Sequence, residues 1–286
     1  MVRSNQSIFS LKSWLFTPAT KAGSFARAAE VHADALIIDL EDAVAPSAKK
    51  QAREVALQYL EGITEDHIPC ALRINAPGTR AGLDDIQALL DSSAEPDYLI
   101  LPKCDSSAIV NLIYGLLREA GKAANIIALI ETAKGIAALS DIVSARIKPA
   151  ALLFGAADMS ADLGAAGAWE PLLWCRSSIV QSAACAEIAV LDSPYFDVAD
   201  KDGLKREARA SASLAFTGKC AIHPAQVSTI NEVFTPSQEE VSRARRILAA
   251  NQHGVGAVDH QMVDEAIARK ARLILTRAGI VVGIEA

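Results

Sequence analysis

The sequence predicts an α/β fold, namely a (β/α)8 barrel followed by a C-terminal helical extension. Eight short apolar runs alternate with stretches of helical periodicity, which is typical of parallel strands joined by crossover helices. Each run is apolar on successive residues, as strands are when both of their faces are covered. All eight units fit within residues 1–234, a length that suits a closed barrel better than an open doubly wound sheet.

The predicted strands can be read off in chain order. They are SWLFTP (13–18), ALIIDLED (35–42), CALRIN (70–75), YLILPK (98–103), IIALIE (126–131), ALLFGAAD (151–158), AVLDSPY (189–195) and KCAIHP (219–224). No GxGxxG motif follows the first of them, which weakens a dinucleotide-binding interpretation of the alternation.

The segments between the strands have apolar residues three and four positions apart. In SAKKQAREVALQYL (47–60), the apolar residues from Ala52 to Leu60 recur on one face, and this predicts an amphipathic helix. The same spacing predicts helices within 24–33, 109–122 and 203–216.

The chain continues past the barrel into an extension of residues 235–286. Thr235 or Ser237 is expected to cap its first helix, with Pro236 near the first turn. A glycine-containing linker (251–261) and a last helix (262–278) follow. This tail exceeds what a barrel needs, so it either folds back on its own barrel or reaches a neighbouring subunit.

Composition excludes several classes of protein. The 286 residues carry a net charge of −6 with no clustered basic arm, which disfavours nucleic-acid binding. No run approaches the ~18 apolar residues of a membrane span, and the N-terminus lacks a signal-peptide pattern. Five cysteines without a CxxC pair are typical of reduced, mostly buried thiols. We therefore expect a cytoplasmic protein that binds neither membranes nor nucleic acids.

Polar residues concentrate at the exit ends of the predicted strands, where barrels of this kind carry their chemistry. An unpaired charge at such a depth is costly, so this placement indicates a site. The residues are Asp39, Glu41, Asp42, Arg73, Asn75, Lys103, Glu131, Asp158, Asp192 and His223.

Glu131 and Asp158 come from adjacent predicted strands, and two carboxylates brought together need a cation or a proton. Because no histidine or cysteine cluster accompanies them, an oxygen-rich Mg²⁺ site is the first interpretation. The alternative is that each acid pairs with Arg73 or Lys103.

Three further residues of this set each admit two or more roles. Arg73 suits a bidentate grip on a substrate carboxylate, or pairs with Asp39 or Glu41. Lys103 is a candidate Schiff-base or anion-binding residue, or balances the acids. His223 precedes a proline and begins a helix, so it is a base, a cofactor contact or a structural residue.

The ordered set of motifs resembles the citrate lyase β-subunit-like lyases, which are related to malyl-CoA and citramalyl-CoA lyases in the group that includes the HpcH/HpaI aldolases. The resemblance spans nearly the whole chain and implies a TIM barrel, trimers or hexamers, and a divalent metal, usually Mg²⁺. The matching stretches are SWLFTPAT, ADALIIDLEDAVAPSAKKQAR, LRINAPGT, LILPKCDS, ALIETAKGI, LLFGAADMSADLG, GKCAIHPAQVSTINEVFTPS and QMVDEAIARKARLIL.

The resemblance also implies roles for individual residues. Glu131 and Asp158 match the metal ligands, and Arg73 matches the arginine that binds the oxygens of the substrate and of the developing enolate. The acidic group Asp39, Glu41 and Asp42 matches residues around the site. In related CoA lyases, the acid that Asp264 matches reaches a neighbouring subunit's site from a C-terminal lid.

Two positions depart from the family pattern. An Arg-Ser pair often precedes the first strand, whereas this chain has Lys12-Ser13; Lys12 is expected to contact a phosphate or carboxylate only as a point charge. An acid often precedes the metal aspartate, whereas this chain has Ala157. These changes leave the matched metal ligands intact and affect the expected substrate and CoA contacts.

The function implied by the resemblance is Mg²⁺-dependent cleavage of a 3-hydroxyacyl thioester of the citryl-, malyl- or citramalyl-CoA type. Three alternatives remain open at this point. The first is a thioesterase or a malate-synthase-like condensing enzyme on the same scaffold. Another is a citrate lyase β subunit that acts on a thioester carried by an acyl-carrier partner. The last is a catalytically silent binding protein.

Overall fold

A computed structural model describes residues 7–63, 67–251, 256–259 and 261–280 of the chain. Eight parallel strands form a closed barrel in sequence order, and the eighth pairs with the first. All eight predicted strands are therefore confirmed. They are β1 (Ser13–Pro18), β2 (Ala35–Asp39), β3 (Cys70–Arg73), β4 (Tyr98–Leu101), β5 (Asn125–Ile130), β6 (Ala151–Phe154), β7 (Ala189–Asp192) and β8 (Gly218–Ala221).

Helices surround this barrel and also form most of the C-terminal extension. They are α1 (Arg27–Glu30), α2 (Lys49–Gly62), α3 (Arg80–Asp91), α4 (Ser107–Glu119), α5 (Ala133–Ala137), α6 (Leu139–Val143), α7 (Ala156–Leu163), α8 (Leu173–Ala186), α9 (Lys201–Ser213), α10 (Pro224–Phe234), α11 (Gln238–Asn251) and α12 (Glu265–Arg277).

Side chains alternate between two apolar cores along each strand. In β2, Ile37 packs in the interior of the barrel, whereas Leu36 and Ile38 pack in the layer between strands and helices. This follows from the two-residue period of a strand, whose successive side chains point to opposite faces. Since both faces are covered, all five residues of β2 are buried.

The helix expected within 24–33 is much shorter in the structure. Only Arg27–Glu30 is α-helical, after a 3₁₀ turn at Ala22–Ser24. His32 then adopts a left-handed conformation (φ 58°), which ends the helix and lets the chain turn into β2.

The extension has an apolar core of its own, which includes Val241 and Leu275. Ser237 caps α11, because its Oγ accepts the N–H of Glu240 while its own N–H is donated to the Glu240 carboxylate. Within the expected linker, β9 (Gly256–Val258) forms an antiparallel pair with β10 (Gln261–Val263). Buried Val258 and Val263 explain this pairing, since they pack into the core between α11 and α12. The expected last helix therefore begins later than predicted, with α12 at Glu265.

Two further expectations concern thiols and membranes. All five cysteines are unpaired and four of them are buried, with Cys185 exposed. Among the described residues, no helix has the length and apolar character needed to cross a bilayer.

Candidate active site

Three strands deliver charged side chains to the interior of the barrel at its carboxyl end. Ile37, Ala71 and Leu129 belong to the interior core, and Asp39, Arg73 and Glu131 lie two residues further on. The two-residue period of a strand therefore points all three toward the barrel axis. They line a cavity of about 380 Å³ together with Asp42 and Asp158.

Arg73 is held rigidly by Asp39. Its Nε and Nη2 each donate a hydrogen bond of 2.7 Å to one oxygen of the Asp39 carboxylate. The same carboxylate accepts the backbone N–H groups of Glu41 and Ala43. Burial alone would lower the pKa of Arg73, but Asp39 outweighs it and raises the pKa. The guanidinium, which also lies 4.9 Å from the Phe16 ring centre, is thus a fixed positive charge.

Glu41 links Arg73 to Lys103. One of its oxygens, Oε1, accepts a 3.0 Å hydrogen bond from Lys103 Nζ. The other, Oε2, lies 3.0 Å from Arg73 Nη1 but is buried without a hydrogen bond, because the ion pair lacks hydrogen-bond geometry. Burial raises the pKa of Glu41, while Arg73 and Lys103 act to lower it. Asp42 lies at the rim, 3.8 Å from Arg73 Nη1.

Glu131 is a buried carboxyl group whose charge is only partly compensated. Its side chain is 2% exposed, and burial, followed by the nearby charge of Glu41, raises its pKa to about 8. Its position depends on Gly155, since a Cβ there would lie 2.4 Å from the Glu131 Cβ and 2.7 Å from Oε2.

Asp158 reaches the cavity from a helix and not from a strand end. Strand β6 ends at Phe154, and Asp158 lies in the first turn of α7. Lys103 Nζ lies 3.3 Å from its Oδ1 and 3.6 Å from Glu131 Oε1. Burial tends to lower the pKa of Lys103, but Glu131, Glu41 and Asp158 together raise it, so the ammonium remains charged.

The donor set at this cavity fits a hard cation such as Mg²⁺. Among the described residues, none donates a hydrogen bond to Glu131 Oε2 or to Asp158 Oδ2, and both side chains line the cavity. In the described part of the chain, no three His, Cys, Asp or Glu side chains form a closed metal cage. Two carboxylates with open positions are nevertheless typical of Mg²⁺, which keeps waters and substrate oxygens as its other ligands.

Three residues at strand ends lie outside the cavity because their side chains have other roles. Asn75 binds Asp85 and the Leu40 carbonyl. Asp192 follows the interior residue Leu191 by one position, so it points outward to the helices. His223 is exposed and caps α10, where its Nδ1 accepts the Ala225 N–H.

Lys12 and Asp264 are also not brought to the cavity. Lys12 precedes the amino end of β1, and its backbone N–H is donated to Asp34, so it lies at the opposite end of the barrel from Arg73. The anion contact expected of Lys12 therefore has no geometric support. Asp264 is exposed and caps α12 by accepting the Ile267 N–H; among the described residues, no contact joins it to the acids of its own barrel.

The apolar wall of the cavity was missed by sequence reasoning, which followed charge alone. Phe16 and Ile222 lie two residues beyond the interior residues Trp14 and Cys220, and Pro18 lies two residues beyond Phe16. The two-residue period of a strand therefore points them toward the barrel axis, as it does Asp39. The wall consists of Phe16, Pro18, Leu129, Leu153, Phe154, Pro194, Phe196 and Ile222.

Comparison with known proteins gives consistent matches along the chain. The sequence profile of the HpcH/HpaI aldolase/citrate lyase family matches residues 12–224. A second profile, described as a carbon–carbon bond lyase of the TIM-barrel fold, matches residues 174–282. The L-malyl-CoA/β-methylmalyl-CoA lyase of Rhodobacter capsulatus is 33% identical, over 92% of this chain and 93% of its own length.

Two solved structures are also similar to the chain. RipC from Yersinia pestis is 44% identical with a TM-score of 0.73, over 82% of this chain and 99% of its own. CitE from Mycobacterium tuberculosis, in complex with magnesium, acetoacetate and coenzyme A, is 34% identical with a TM-score of 0.78, over 94% and 98% of the two chains. The closed eight-stranded barrel and these matches together show that the chain belongs to the HpcH/HpaI aldolase/citrate lyase family of carbon–carbon lyases.

Proposed function

We propose that this protein cleaves a 3-hydroxyacyl thioester of the citryl-, malyl- or citramalyl-CoA type into a keto acid and a shorter acyl thioester. One observation carries the proposal. Glu131 and Asp158 each bring to the same cavity a carboxylate oxygen to which no described residue donates a hydrogen bond, and Arg73 lines that cavity as a fixed positive charge. Anionic oxygens that develop in this cavity would meet positive charge from two directions.

Glu131 and Asp158 are the proposed ligands of Mg²⁺, and they match the family's metal ligands. A bound Mg²⁺ would supply positive charge to the oxygens of the substrate when the bond breaks. The magnesium, acetoacetate and coenzyme A in the M. tuberculosis relative support this choice of metal and of a thioester substrate.

Arg73 is the residue proposed to face the thioester oxygen. Loss of the hydroxyl proton lets the carbon–carbon bond break, and its electron pair passes into the thioester to form an enolate. The enolate then takes up a proton at carbon to give the acyl thioester. Because Asp39 fixes Arg73 before the substrate arrives, the guanidinium needs no reorganisation as the enolate charge develops, which is where electrostatic catalysis is most effective. Asp39 and Glu41 act here as positioning residues.

Asp264 of a neighbouring protomer is the proposed general acid or base. Its own extension docks near the amino end of the barrel, where Arg277 lies beside the Ala215 and Phe216 carbonyls just before β8. Asp264 is exposed at the other end of α12, so it is free to enter another protomer's cavity. The proposal therefore includes a homo-oligomer, a trimer or hexamer, with the extension as its lid.

The thioester arm is proposed to leave the cavity at the carboxyl face of the barrel. His223 is exposed at this face, beside the cavity residue Ile222, and remains a proposed contact for the arm. Coenzyme A is the preferred carrier, because a lid from a neighbouring copy suits a self-sufficient enzyme. An acyl-carrier protein is the alternative carrier.

The test is a product analysis with purified protein and Mg²⁺. Citryl-CoA, both malyl-CoA isomers and citramalyl-CoA would be offered in turn, with keto acid and free CoA measured separately. We expect keto acid without free CoA from at least one substrate. Free CoA alone would replace the proposal with a thioesterase, whereas inactivity toward all of them would redirect the assay to carrier-bound thioesters.

A further inference from the structure

Lys103 has an unusual backbone conformation, and its side chain lies between Glu41 and the two proposed metal ligands. It follows β4 with a left-handed φ of 51°, a conformation that disfavours residues other than glycine. Its backbone N–H is donated to Glu131 Oε1 at 2.9 Å. Its ammonium is within 3.6 Å of carboxylate oxygens of Glu41, Glu131 and Asp158. The strained backbone is thus held by Glu131, one of the acids that the side chain contacts.

Lys103 approaches these acids from outside the active-site cavity. It lines a separate cavity of about 480 Å³ beside the loops that follow β3 and β4, whereas Glu131 and Asp158 line the active-site cavity. Its shortest contacts to the two ligands are with Glu131 Oε1 and Asp158 Oδ1. Glu131 Oε2 lies on the side of Gly155, which lines the active-site cavity.

We propose that Lys103 is the positioning residue of the metal site, a clamp that sets the spacing and rotation of the Glu131 and Asp158 carboxylates. The proposal rests on the proposed function, because it takes these two acids as the metal ligands. Without the Lys103 ammonium, the two carboxylates repel each other and turn apart. Groups that orient metal ligands typically change metal affinity by about 10–100-fold when they are removed.

Charge repulsion alone leads to the opposite expectation. An ammonium close to a bound divalent cation repels it, so removing a lysine that only opposes the metal tightens metal binding. Removing a lysine that orients the ligands weakens metal binding. The sign of the change in affinity therefore decides between the two roles.

The experiment measures Mn²⁺ binding by electron paramagnetic resonance titration, without substrate. Wild type, Lys103→Met, Lys103→Arg and Lys134→Met would be compared, with thermal unfolding as the check of folding. Lys134 is the matched control, because it is exposed on the same face and pairs with Asp105, not with the ligands. We expect Lys103→Met to weaken Mn²⁺ binding by about tenfold or more, Lys103→Arg to lose less, and Lys134→Met to stay within about twofold of wild type.

Unchanged or tighter binding in Lys103→Met would overturn the clamp, and so would an equal loss in Lys134→Met. If Lys103→Met does not fold, Lys103→Gln takes its place with the same expectation. A wild-type protein that binds no Mn²⁺ would instead contradict the proposed function itself, so the two failures are distinguishable.

Discussion

At the scale of single residues, the site is a chain of alternating charges. Arg73 forms ion pairs with Asp39 and Glu41. Lys103 forms ion pairs with Glu41 and Glu131. Each charge is compensated by the next, which makes burial of so many ionised groups tolerable. The chain ends at Glu131 and Asp158, the proposed metal ligands, which share the single ammonium of Lys103.

Removal of one ligand charge should therefore disable the site without unfolding it. We expect Glu131→Gln and Asp158→Asn each to weaken Mg²⁺ binding and to lower turnover by about a hundredfold or more, since the electrostatic stabilisation of the enolate is lost. Metal titration and steady-state assays would measure this, with circular dichroism as the control for folding. Full activity in both variants would refute the metal assignment.

Gly155 offers a second test at the residue scale. Alanine there would place a Cβ 2.4 Å from the Glu131 Cβ, so Glu131 must shift. We expect Gly155→Ala to lower turnover by about a hundredfold. Gly115→Ala is the matched control, because a Cβ at Gly115 meets no atom within 4 Å and alanine favours the helix there. Similar turnover in the two variants would contradict this dependence on Gly155.

The period of a strand separates residues that face the cavity from those that do not, once the interior face of the strand is known. Arg73 and Glu131 lie an even number of residues beyond interior core positions, whereas Asp192 and His223 lie an odd number beyond theirs. The sequence does not reveal the interior face of β7, because its run is apolar on successive residues. The rule does not extend to Asp158, because a strand period does not continue into the first turn of a helix.

At the scale of elements, the outward-facing Asp192 fastens β7 to its neighbours. It is fully buried and accepts hydrogen bonds from Arg176 of α8, Ser211 of α9 and Lys219 of β8. Burial alone would raise the pKa of Asp192, but Lys219 and Arg176 lower it. This acid therefore joins four elements of the barrel and has a structural role.

We expect Asp192→Asn to lower the free energy of unfolding by about 3–5 kcal/mol, because it leaves buried Arg176 without its counter-charge and Lys219 with Glu207 alone. Denaturant unfolding would measure the loss. The double variant Asp192→Asn/Arg176→Met should recover part of it, since the orphaned cation is removed. A change below about 1 kcal/mol in the single variant would contradict the role given to Asp192.

The elements themselves were largely predictable, and the exceptions have physical causes. Eight buried strands gave clear apolar runs because both of their faces are covered. Strands β9 and β10 gave no signal, since three residues are too few to establish a period. Of the side chains described in these strands, Val258 and Val263 are the ones buried in the core of the extension. The helix at 24–33 was overestimated because apolar spacing does not reveal the left-handed turn at His32.

At the scale of the whole molecule, the central question is which barrel Asp264 serves. Sequence periodicity carries no information about contacts between chains, so the resemblance alone suggested a neighbouring subunit. Helix α12 docks near the amino end of its own barrel, away from the cavity at the carboxyl end. This is consistent with the proposal that Asp264 acts in the cavity of a neighbouring protomer. Assembly is therefore part of the proposed mechanism.

Mixed oligomers test this arrangement directly. Asp264→Asn and Glu131→Gln chains, each inactive alone, would be co-expressed with different tags and isolated as hetero-oligomers. If Asp264 acts across protomers, the isolated hetero-oligomers should show about a third of wild-type activity as trimers and about a quarter as hexamers, because that fraction of the sites combines an intact Glu131 with an intact Asp264. Activity no higher than that of the parents would show that Asp264 serves its own chain, whereas an active Asp264→Asn parent would show that Asp264 has no catalytic role.

The most direct measurement of the central claim is the position of the metal and the keto acid in a crystal. Crystals grown with Mn²⁺ and oxaloacetate or pyruvate would locate the ion by its anomalous scattering. We expect the ion to be bound by Glu131 and Asp158, with the keto acid in the same cavity beside Arg73. An ion bound elsewhere, or a keto acid bound away from Arg73, would contradict the proposed site.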